Sequence, residues 1–449
     1  MIIFILSSLF LCLFGFLLIL IIDKENKYSF FEKITLSFPL GAAVITQLML
    51  FNALLGINFN IGVINFVFGI LFCLMLIYAY RKKRKLNFKG LNPAKQSLVS
   101  RLIFLIIIFQ VFFVAGEAVL RPVYGFDALD NWAIKAKSFF YEKSVNLDKT
   151  DPYFMGGTNS KANYPLHISF LASWFYFNQG EINESLINLI PAAYYIALLA
   201  LIYINLIKYI SRRKALIFTL FLATAPLLIY HGFNYYADLP LAFYLTAAII
   251  YLYNYLRSGR SSDLLLGALM CGAIIFIKNN GLFYAFIILA IFLFELWRLK
   301  KIKSPDKKSL VLPTAGFMFF SLPWIIYVYA NNLGYTTISG ERLTTDNFHP
   351  EIIKLFFMNL WFTYDFFIWF AILAIFIFLF IKTAGKTLLS KNMFLILTFF
   401  ALLFFHFSFL LLTDLYVYIL DGTLDGRLSL IIFPISVFMA GLFYEKNQK

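Results

Sequence analysis

Two carboxylates and two lysines lie close together in the segment 125–137, directly after a long apolar run. If the segment is helical, Asp127, Asp130 and Lys137 fall within roughly 80° of one another around the helix. Trp132 falls on the other side, where it can pack against neighbouring helices. Carboxylates that converge with a cation suit general-base chemistry beside an anionic group. The alternative is structural, with Asp127 as the helix cap and Asp130 favourable in the first turn.

Two later stretches carry further polar side chains. Tyr164 and His167 flank a Pro-Leu pair. A proline is ordinary at a helix start, and His167 would be either a proton carrier or a polar residue facing the membrane interface. Asp238 stands just before Leu-Pro, where a helix cap is expected. Held at the membrane surface, it would alternatively orient a sugar hydroxyl or a cation.

Two basic residues lie close to apolar runs. Lys278 begins a Lys-Asn-Asn-Gly sequence between two such runs, where a lysine costs about 2.5–3.5 kcal/mol if it faces lipid at the bilayer centre. Near a helix end it can reach the surface instead. Arg427 opens the last apolar run, and such an arginine either pairs with Asp421 or Asp425 or binds a phosphate.

The elements that must position these residues are membrane helices. The chain is 61% hydrophobic and 14% charged, which is typical of an all-α polytopic membrane protein. We interpret the first run as a retained helix rather than a cleaved leader. Thirteen runs are long enough to predict spans, at 2–22, 37–56, 60–80, 102–120, 185–207, 215–231, 239–256, 263–278, 281–298, 311–330, 355–382, 393–412 and 427–443.

The net charge of +15 is unevenly distributed among the connections. Of the 38 Lys and Arg residues, 28 lie near 23–36, 81–101, 208–214, 257–262, 298–310 and 382–391 and in the C-terminal tail. The positive-inside rule makes these connections cytoplasmic, with the N-terminus outside and the C-terminus inside. All the polar stretches described above then lie on the extracytoplasmic side. The basic charge is a topology signal, so we expect no nucleic-acid partner.

The segment 121–184 is the largest predicted extracytoplasmic loop. Within it, residues 165–178 are too short to span, and they predict an amphipathic interfacial helix with Trp174 and Tyr176 at headgroup depth. A boundary in the basic loop 81–101 divides the chain into an added three-helix module, 1–85, and a working module, 100–449. The sequence has no Walker, dinucleotide, zinc-protease or nucleophile-elbow motif. Any donor must therefore arrive already activated, through the bilayer.

Taken in order, these elements resemble the GT-C superfamily of membrane glycosyltransferases. The likeness is to protein O-mannosyltransferases, lipid A aminoarabinose transferases and related bacterial enzymes, and it covers roughly 100–443. It is carried by the acidic motif 126–137, Tyr164-Pro-Leu with Trp174, Tyr236-Ala-Asp-Leu-Pro, Lys278-Asn-Asn-Gly, and Arg427 with Pro434. The acids stand as Asp127 and Asp130 rather than as an adjacent pair, and the three leading spans have no counterpart in the simplest family layout.

The resemblance implies an inverting transfer of sugar from a polyprenyl-phosphate donor to an acceptor hydroxyl on a glycan, lipid or protein, in a bacterial plasma membrane. Asp127 would be the base, with Asp130 as the other candidate. No cofactor is required, although Asp127 and Asp238 would hold a divalent cation if one is used. The other predicted roles are phosphate binding by Arg427, Lys278, Lys137 and Lys135, and substrate positioning by Asp130, Asp238, Tyr164, His167 and Trp132.

Two other classes of protein fit the composition. A transporter or flippase of lipid-linked or polar solutes would need charged or broken helices near the bilayer midplane. Apart from Lys278, the ionisable groups here lie at helix ends. An O-antigen ligase or polymerase would carry its large loop late in the chain, whereas the large loop here follows the fourth span. Both features favour the glycosyltransferase.

Overall fold

The computed structural model describes residues 1–88, 97–156, 162–299, 307–333, 349–362, 386–413, 416–422 and 424–446. These residues form helices and no β-strand. The helices are α1 Ile2–Ile22, α2 Phe30–Leu54, α3 Ile61–Arg81, α4 Leu98–Leu120, a π-helix Ala128–Ala133, α5 Ile134–Glu142, a 3-10 turn Phe154–Gly156, α6 His167–Gln179, α7 Glu184–Ile187, α8 Leu189–Leu206, α9 Arg212–Ala223, α10 Pro226–Phe233, α11 Asp238–Ser258, α12 Ser261–Ile275, α13 Asn280–Arg298, α14 Lys307–Ala330, α15 Glu351–Phe362, α16 Lys386–Leu412, α17 Val417–Leu420 and α18 Asp425–Lys446.

Ten helices in the described part of the chain are long and apolar enough to cross a membrane. The pair α9–α10 is bent by 67° and makes an eleventh if the two helices are counted as one broken span, while α12 is apolar but shorter. The bend falls where Pro226 begins α10, because proline cannot continue the hydrogen-bond ladder of the preceding helix. The predicted span 355–382 lies mostly outside the described residues. The predicted all-helical membrane architecture is confirmed, and thirteen spans are compatible with it.

The spans differ in how much of their surface is covered by protein. In α11 and α18 94% of the most apolar stretch is buried, against 11% in α3 and 22% in α4. Thus α11 and α18 lie at the centre of the bundle, and α3 and α4 lie at its lipid-facing edge. The N-terminal ends of α11 and α18 therefore present Asp238 and Arg427 from the best-packed part of the molecule.

The first two helices pack into the bundle through polar contacts. The Tyr28 hydroxyl donates to Asp263 Oδ1 at 2.8 Å, and the Lys33 ammonium pairs with Asp23 at 2.7 Å with both side chains buried. In α2, Thr46 Oγ1 lies 2.7 Å from His167 Nδ1. The bonds of Tyr28 and Thr46 tie residues 1–85 to the rest of the protein, and the Lys33–Asp23 pair joins α1 to α2. A separate role for this segment stays a prediction.

Helix α6 lies where a short helix was predicted, but its surroundings differ from the prediction. Trp174 and Tyr176 are buried by protein, and the Trp174 indole donates to Asn65 Oδ1 at 2.9 Å. Their predicted place against lipid headgroups is therefore wrong, because α1, α2 and α3 pack over this helix. Helix α6 instead supports the acidic segment, since Ser169 Oγ donates to the Trp132 carbonyl at 3.0 Å.

Candidate active site

The acidic segment begins with a π-helical turn rather than a regular α-helix. Residues Ala128–Ala133 form the π-helix, and α5 follows directly. A π-helical turn holds an extra residue, so side chains after it are rotated relative to those before it. Asp127 makes no side-chain capping bond, so its carboxylate does not cap this helix. Short π-helical segments are common at functional sites.

Four charged side chains from four segments meet at this turn, and we call Asp127, Asp238, Lys278 and Arg427 the ionic cluster. Arg427 Nη1 lies 2.5 Å from Asp127 Oδ2. Its Nη2 and Nε lie 3.0 and 3.2 Å from Asp238 Oδ2. The Lys278 ammonium lies 2.6 Å from Asp238 Oδ1. The sequence suggested Asp421 or Asp425 as partners for Arg427, and the structure shows its guanidinium paired with Asp127 and Asp238.

The members of the ionic cluster differ in exposure. Asp238 is 0% exposed and Lys278 10%, whereas Asp127 and Arg427 are 18% and 21% exposed. Asp238 is the first residue of α11, directly after the N-cap Ala237, and its carboxylate bonds to the two cations. A buried carboxylate is stable only when paired in this way. Asp127 and Arg427 are therefore the members that a substrate can reach.

Aromatic and amide side chains surround Asp127 and Arg427. Asn131 Nδ2 donates to Asp127 Oδ1 at 3.1 Å, and the Arg427 guanidinium lies 5.4 Å from the centroid of the Tyr236 ring. Gly125, at φ +99°, packs so closely on the Tyr236 hydroxyl that a Cβ there would collide with it. Backbone conformation and space both require glycine at this position. The contact fixes the loop that carries Asp127 against the tyrosine under Arg427.

Tyr164 lies next to the ionic cluster, as its predicted positioning role requires. It is within electrostatic range of Asp127, Arg427 and Asp238, and its ring meets Trp132 edge-on at 5.3 Å. Burial raises the pKa of Tyr164, and the charge of Asp127 raises it further. Its hydroxyl therefore stays protonated and can bind a substrate without acting as a base. Trp132 is fully buried, as the helical spacing predicted.

Other predicted site residues have different surroundings. Lys137 pairs with Glu184, because the π-helical turn alters the face that the predicted helix would have shared with Asp127. Lys135 is fully buried, and burial lowers the pKa of its ammonium to about 7. The His167 Nε2 atom lies 3.1 Å from the Tyr194 hydroxyl, which completes its bonding inside the protein. Asp130 lies partly exposed within the π-helix.

The chemistry of a divalent cation does not fit between Asp127 and Asp238. Both carboxylates face the Arg427 guanidinium, which together with Lys278 already balances their charge. Within the described ranges, no group of three or more His, Cys, Asp or Glu side chains could hold a metal ion. We therefore assign no metal ion to this site. What the ionic cluster offers is an accessible carboxylate beside a cation that has further N–H donors to give.

Comparisons with known proteins agree with the resemblance seen in the motifs. Residues 133–339 match the family model of dolichyl-phosphate-mannose-protein mannosyltransferases. This match begins after Asp127 and ends before Arg427. The case for these two residues as site residues therefore depends on the contacts described above and not on the family match. No curated protein matches the chain.

Two solved structures share the fold. Both are of ArnT from Cupriavidus metallidurans, one in the apo state and one bound to undecaprenyl phosphate. Each gives a TM-score of 0.52, at 13% and 12% identity respectively, and covers 76% of this chain. The chain spans only 59% and 60% of those proteins. The family match and the shared fold confirm the GT-C resemblance, and at this identity the solved structures show the fold alone.

Proposed function

Because the chain has the GT-C fold and a mannosyltransferase family match, we propose that it transfers a sugar from a polyprenyl-phosphate donor to an acceptor hydroxyl. The observation that carries this proposal is the accessible Asp127 carboxylate 2.5 Å from Arg427. Support for the donor class comes from ArnT, whose structure has been solved with undecaprenyl phosphate bound. An all-helical membrane protein suits such a donor, since the prenyl chain stays in the bilayer while its phosphate reaches the ionic cluster.

Asp127 acts as the general base in the proposed reaction. Each carboxylate oxygen has two lone pairs, so Asp127 can accept the acceptor hydroxyl while it keeps Asn131 and Arg427 as partners. The hydroxyl proton passes to Asp127, and the acceptor oxygen forms a bond to the anomeric carbon. The bond from that carbon to the phosphate oxygen breaks with inversion. The leaving polyprenyl phosphate keeps the electron pair.

Arg427 and Lys278 stabilise the leaving phosphate. Asp238 holds both cations in place, so their N–H groups need little reorganisation when negative charge develops. Asp238 itself is enclosed and acts as a positioning residue. Lys137 pairs with Glu184 and Lys135 is fully buried, so we assign neither of them to the phosphate.

The test compares Asp127→Asn with Asp130→Asn in the full-length chain. Losing a general base should lower transfer by about 10²–10⁴-fold, so Asp127→Asn should abolish glycosylation in a complemented deletion strain. Asp130→Asn, a matched control three residues away, should keep most of it. Both proteins should insert in the membrane at wild-type levels.

The outcomes separate the alternatives. Unchanged glycosylation with Asp127→Asn would refute the catalytic assignment, and loss only with Asp130→Asn would move the base to that residue. The bent pair α9–α10 is a feature that a transporter would also use. Movement of a lipid-linked sugar across proteoliposomes without any transfer would favour that alternative.

A further inference from the structure

Asp238 is poorly placed to bind a hydroxyl of the donor sugar. Its Oδ1 bonds to Lys278, and its Oδ2 bonds to two N–H groups of Arg427. The side chain is also 0% exposed, whereas Asp127 is 18% exposed. The role of Asp238 in orienting a sugar hydroxyl stays a prediction. Polar atoms that the protein leaves unpaired are better candidates for hydroxyl recognition.

Two neutral side chains beside the ionic cluster have such atoms. Within the described residues, Asn279 Oδ1 and Nδ2 and His231 Nδ1 are buried without a hydrogen-bond partner. Asn279 is 8% exposed and His231 2%. A buried polar group left unpaired costs about 1–3 kcal/mol. Native proteins rarely retain such groups without a ligand or an ordered water to meet them.

The position of Asn279 places its amide next to the phosphate-binding lysine. It follows Lys278 and stands at the N-cap of α13, where asparagine usually accepts a bond from the first helical turn. Here backbone carbonyls take that place, since the Gly281 N–H donates to the Lys278 carbonyl at 2.8 Å and the Leu282 N–H to the Asn279 carbonyl at 3.2 Å. The side-chain amide is left able to donate and to accept.

His231 lies beside the ionic cluster and against Tyr236. Its ring centroid lies 5.1 Å from that of Tyr236, and the Tyr236 ring is itself 5.4 Å from the Arg427 guanidinium. His231 is within electrostatic range of Asp238, Arg427 and Lys278. His231 and Arg427, the cation that would bind the phosphate, therefore both pack against the same aromatic ring.

We propose that Asn279 and His231 form a subsite that binds hydroxyls of the donor sugar, and this proposal rests on the proposed function. An amide that donates and accepts, together with an imidazole nitrogen, matches a pair of neighbouring hydroxyls on a pyranose ring. The charged side chains bind the phosphate, and the two neutral side chains bind hydroxyls of the sugar. A site with buried polar groups that need a hydroxyl rejects a sugar lacking it.

The experiment measures binding of four lipids to the full-length protein. The probes are undecaprenyl phosphate alone and undecaprenyl phosphate carrying mannose, glucose or galactose. Asn279→Leu and His231→Phe keep size or ring shape but remove the polar atoms. Each should weaken binding of the preferred sugar lipid by about 3–10-fold, the value of one hydrogen bond, and leave binding of bare undecaprenyl phosphate unchanged.

Two controls make the result specific. Thr246→Val removes another buried, unpartnered polar atom from the described residues, on the same helix as Asp238, and should change neither affinity. The thermal stability of the ligand-free variants should not fall, because no protein hydrogen bond is lost. Equal affinity of the wild type for all four lipids, or parallel loss of all four in the variants, would overturn the subsite alone. A wild-type protein that binds none of the lipids would overturn the proposed donor as well.

Discussion

Single side chains in the ionic cluster perform separate tasks according to their exposure. Asp127 and Arg427 can reach a substrate, while Asp238 is enclosed and holds Arg427 and Lys278. The sequence already pointed to all four, because each polar residue stood at the edge of an apolar run. It could not pair them, since Arg427 meets its partners only when α18 packs against α11 and the π-helical turn.

Neutral residues of the site were harder to predict than charged ones. Asn279 lies within the Lys278-Asn-Asn-Gly sequence and His231 shortly before Tyr236-Ala-Asp-Leu-Pro, yet nothing in a sequence shows that a polar atom lacks a partner. Tyr236 and Asn131 were missed for the same reason, because their contacts with Arg427 and Asp127 depend on the fold. Burial and unsatisfied hydrogen bonding are properties of the packed molecule.

His167 provides a prediction about pH. Burial lowers its pKa from 6.5 to about 3, so the folded imidazole stays neutral while the unfolded one binds a proton below about 6.5. The unfolded state then binds more protons, and the folded state loses stability as the pH falls from about 6.5 toward 3. The melting temperature of the wild type should drop over this range more steeply than that of His167→Gln, measured in detergent.

His349 supplies the control for this measurement. Its side chain is 30% exposed and pairs with Glu351, outside the packed core around α6. His349→Gln should follow the wild-type curve. Identical slopes for the wild type and His167→Gln would show that the buried imidazole does not govern acid stability.

At the scale of elements, long apolar runs located nearly all of the spans. A short π-helix replaced the regular helix expected after Gly125. The difference is physical. Composition tells where a chain leaves the membrane, but one extra residue in a turn depends on how Trp132 and Asp127 fit their neighbours. Helix α6 shows the same limit, because its Trp and Tyr residues suit an interface and are covered by α1, α2 and α3 instead.

Gly125 tests how far the site depends on this turn. Gly125→Ala must avoid the Tyr236 hydroxyl in a left-handed conformation, so Asp127 should shift and activity should fall by about 10²-fold, as for a misplacement of about 1 Å. Gly180→Ala is matched, with φ +76° and open space around its Cβ. It should cost about 1–2 kcal/mol of stability and keep activity. Equal activity of the two variants would remove the proposed link between Gly125 and Asp127.

At the scale of the whole molecule, orientation in the membrane decides which compartment supplies the acceptor. The charge pattern predicts that the loop after α5 lies outside the cell and that the C-terminal end of α3 lies inside. Lys149 and Lys82 are exposed at these two places. In a variant lacking Cys12, Cys73 and Cys271, an impermeant maleimide should label Lys149→Cys in intact cells and Lys82→Cys only after permeabilisation.

The opposite labelling pattern would turn the site toward the cytoplasm and contradict the predicted extracytoplasmic location.

The polar contacts of α1 and α2 also matter at this scale. Removing one partner of a buried ion pair such as Lys33–Asp23 typically costs about 3–5 kcal/mol. We therefore expect residues 1–85 to contribute to folding whatever further role they have.

The ionic cluster pairs two acidic with two basic side chains and so has no net charge at rest. A polyprenyl phosphate sugar is a diester with one negative charge, whereas the released polyprenyl phosphate is a monoester with about −1.5 to −2 at neutral pH. When Asp127 takes up the acceptor proton, the ionic cluster gains a net positive charge. At the same step the bound polyprenyl phosphate becomes more negative. In the proposed reaction the ionic cluster therefore binds the released carrier more tightly than the sugar-loaded donor. We expect turnover to be limited by product release, so that recycling of the lipid carrier controls the rate.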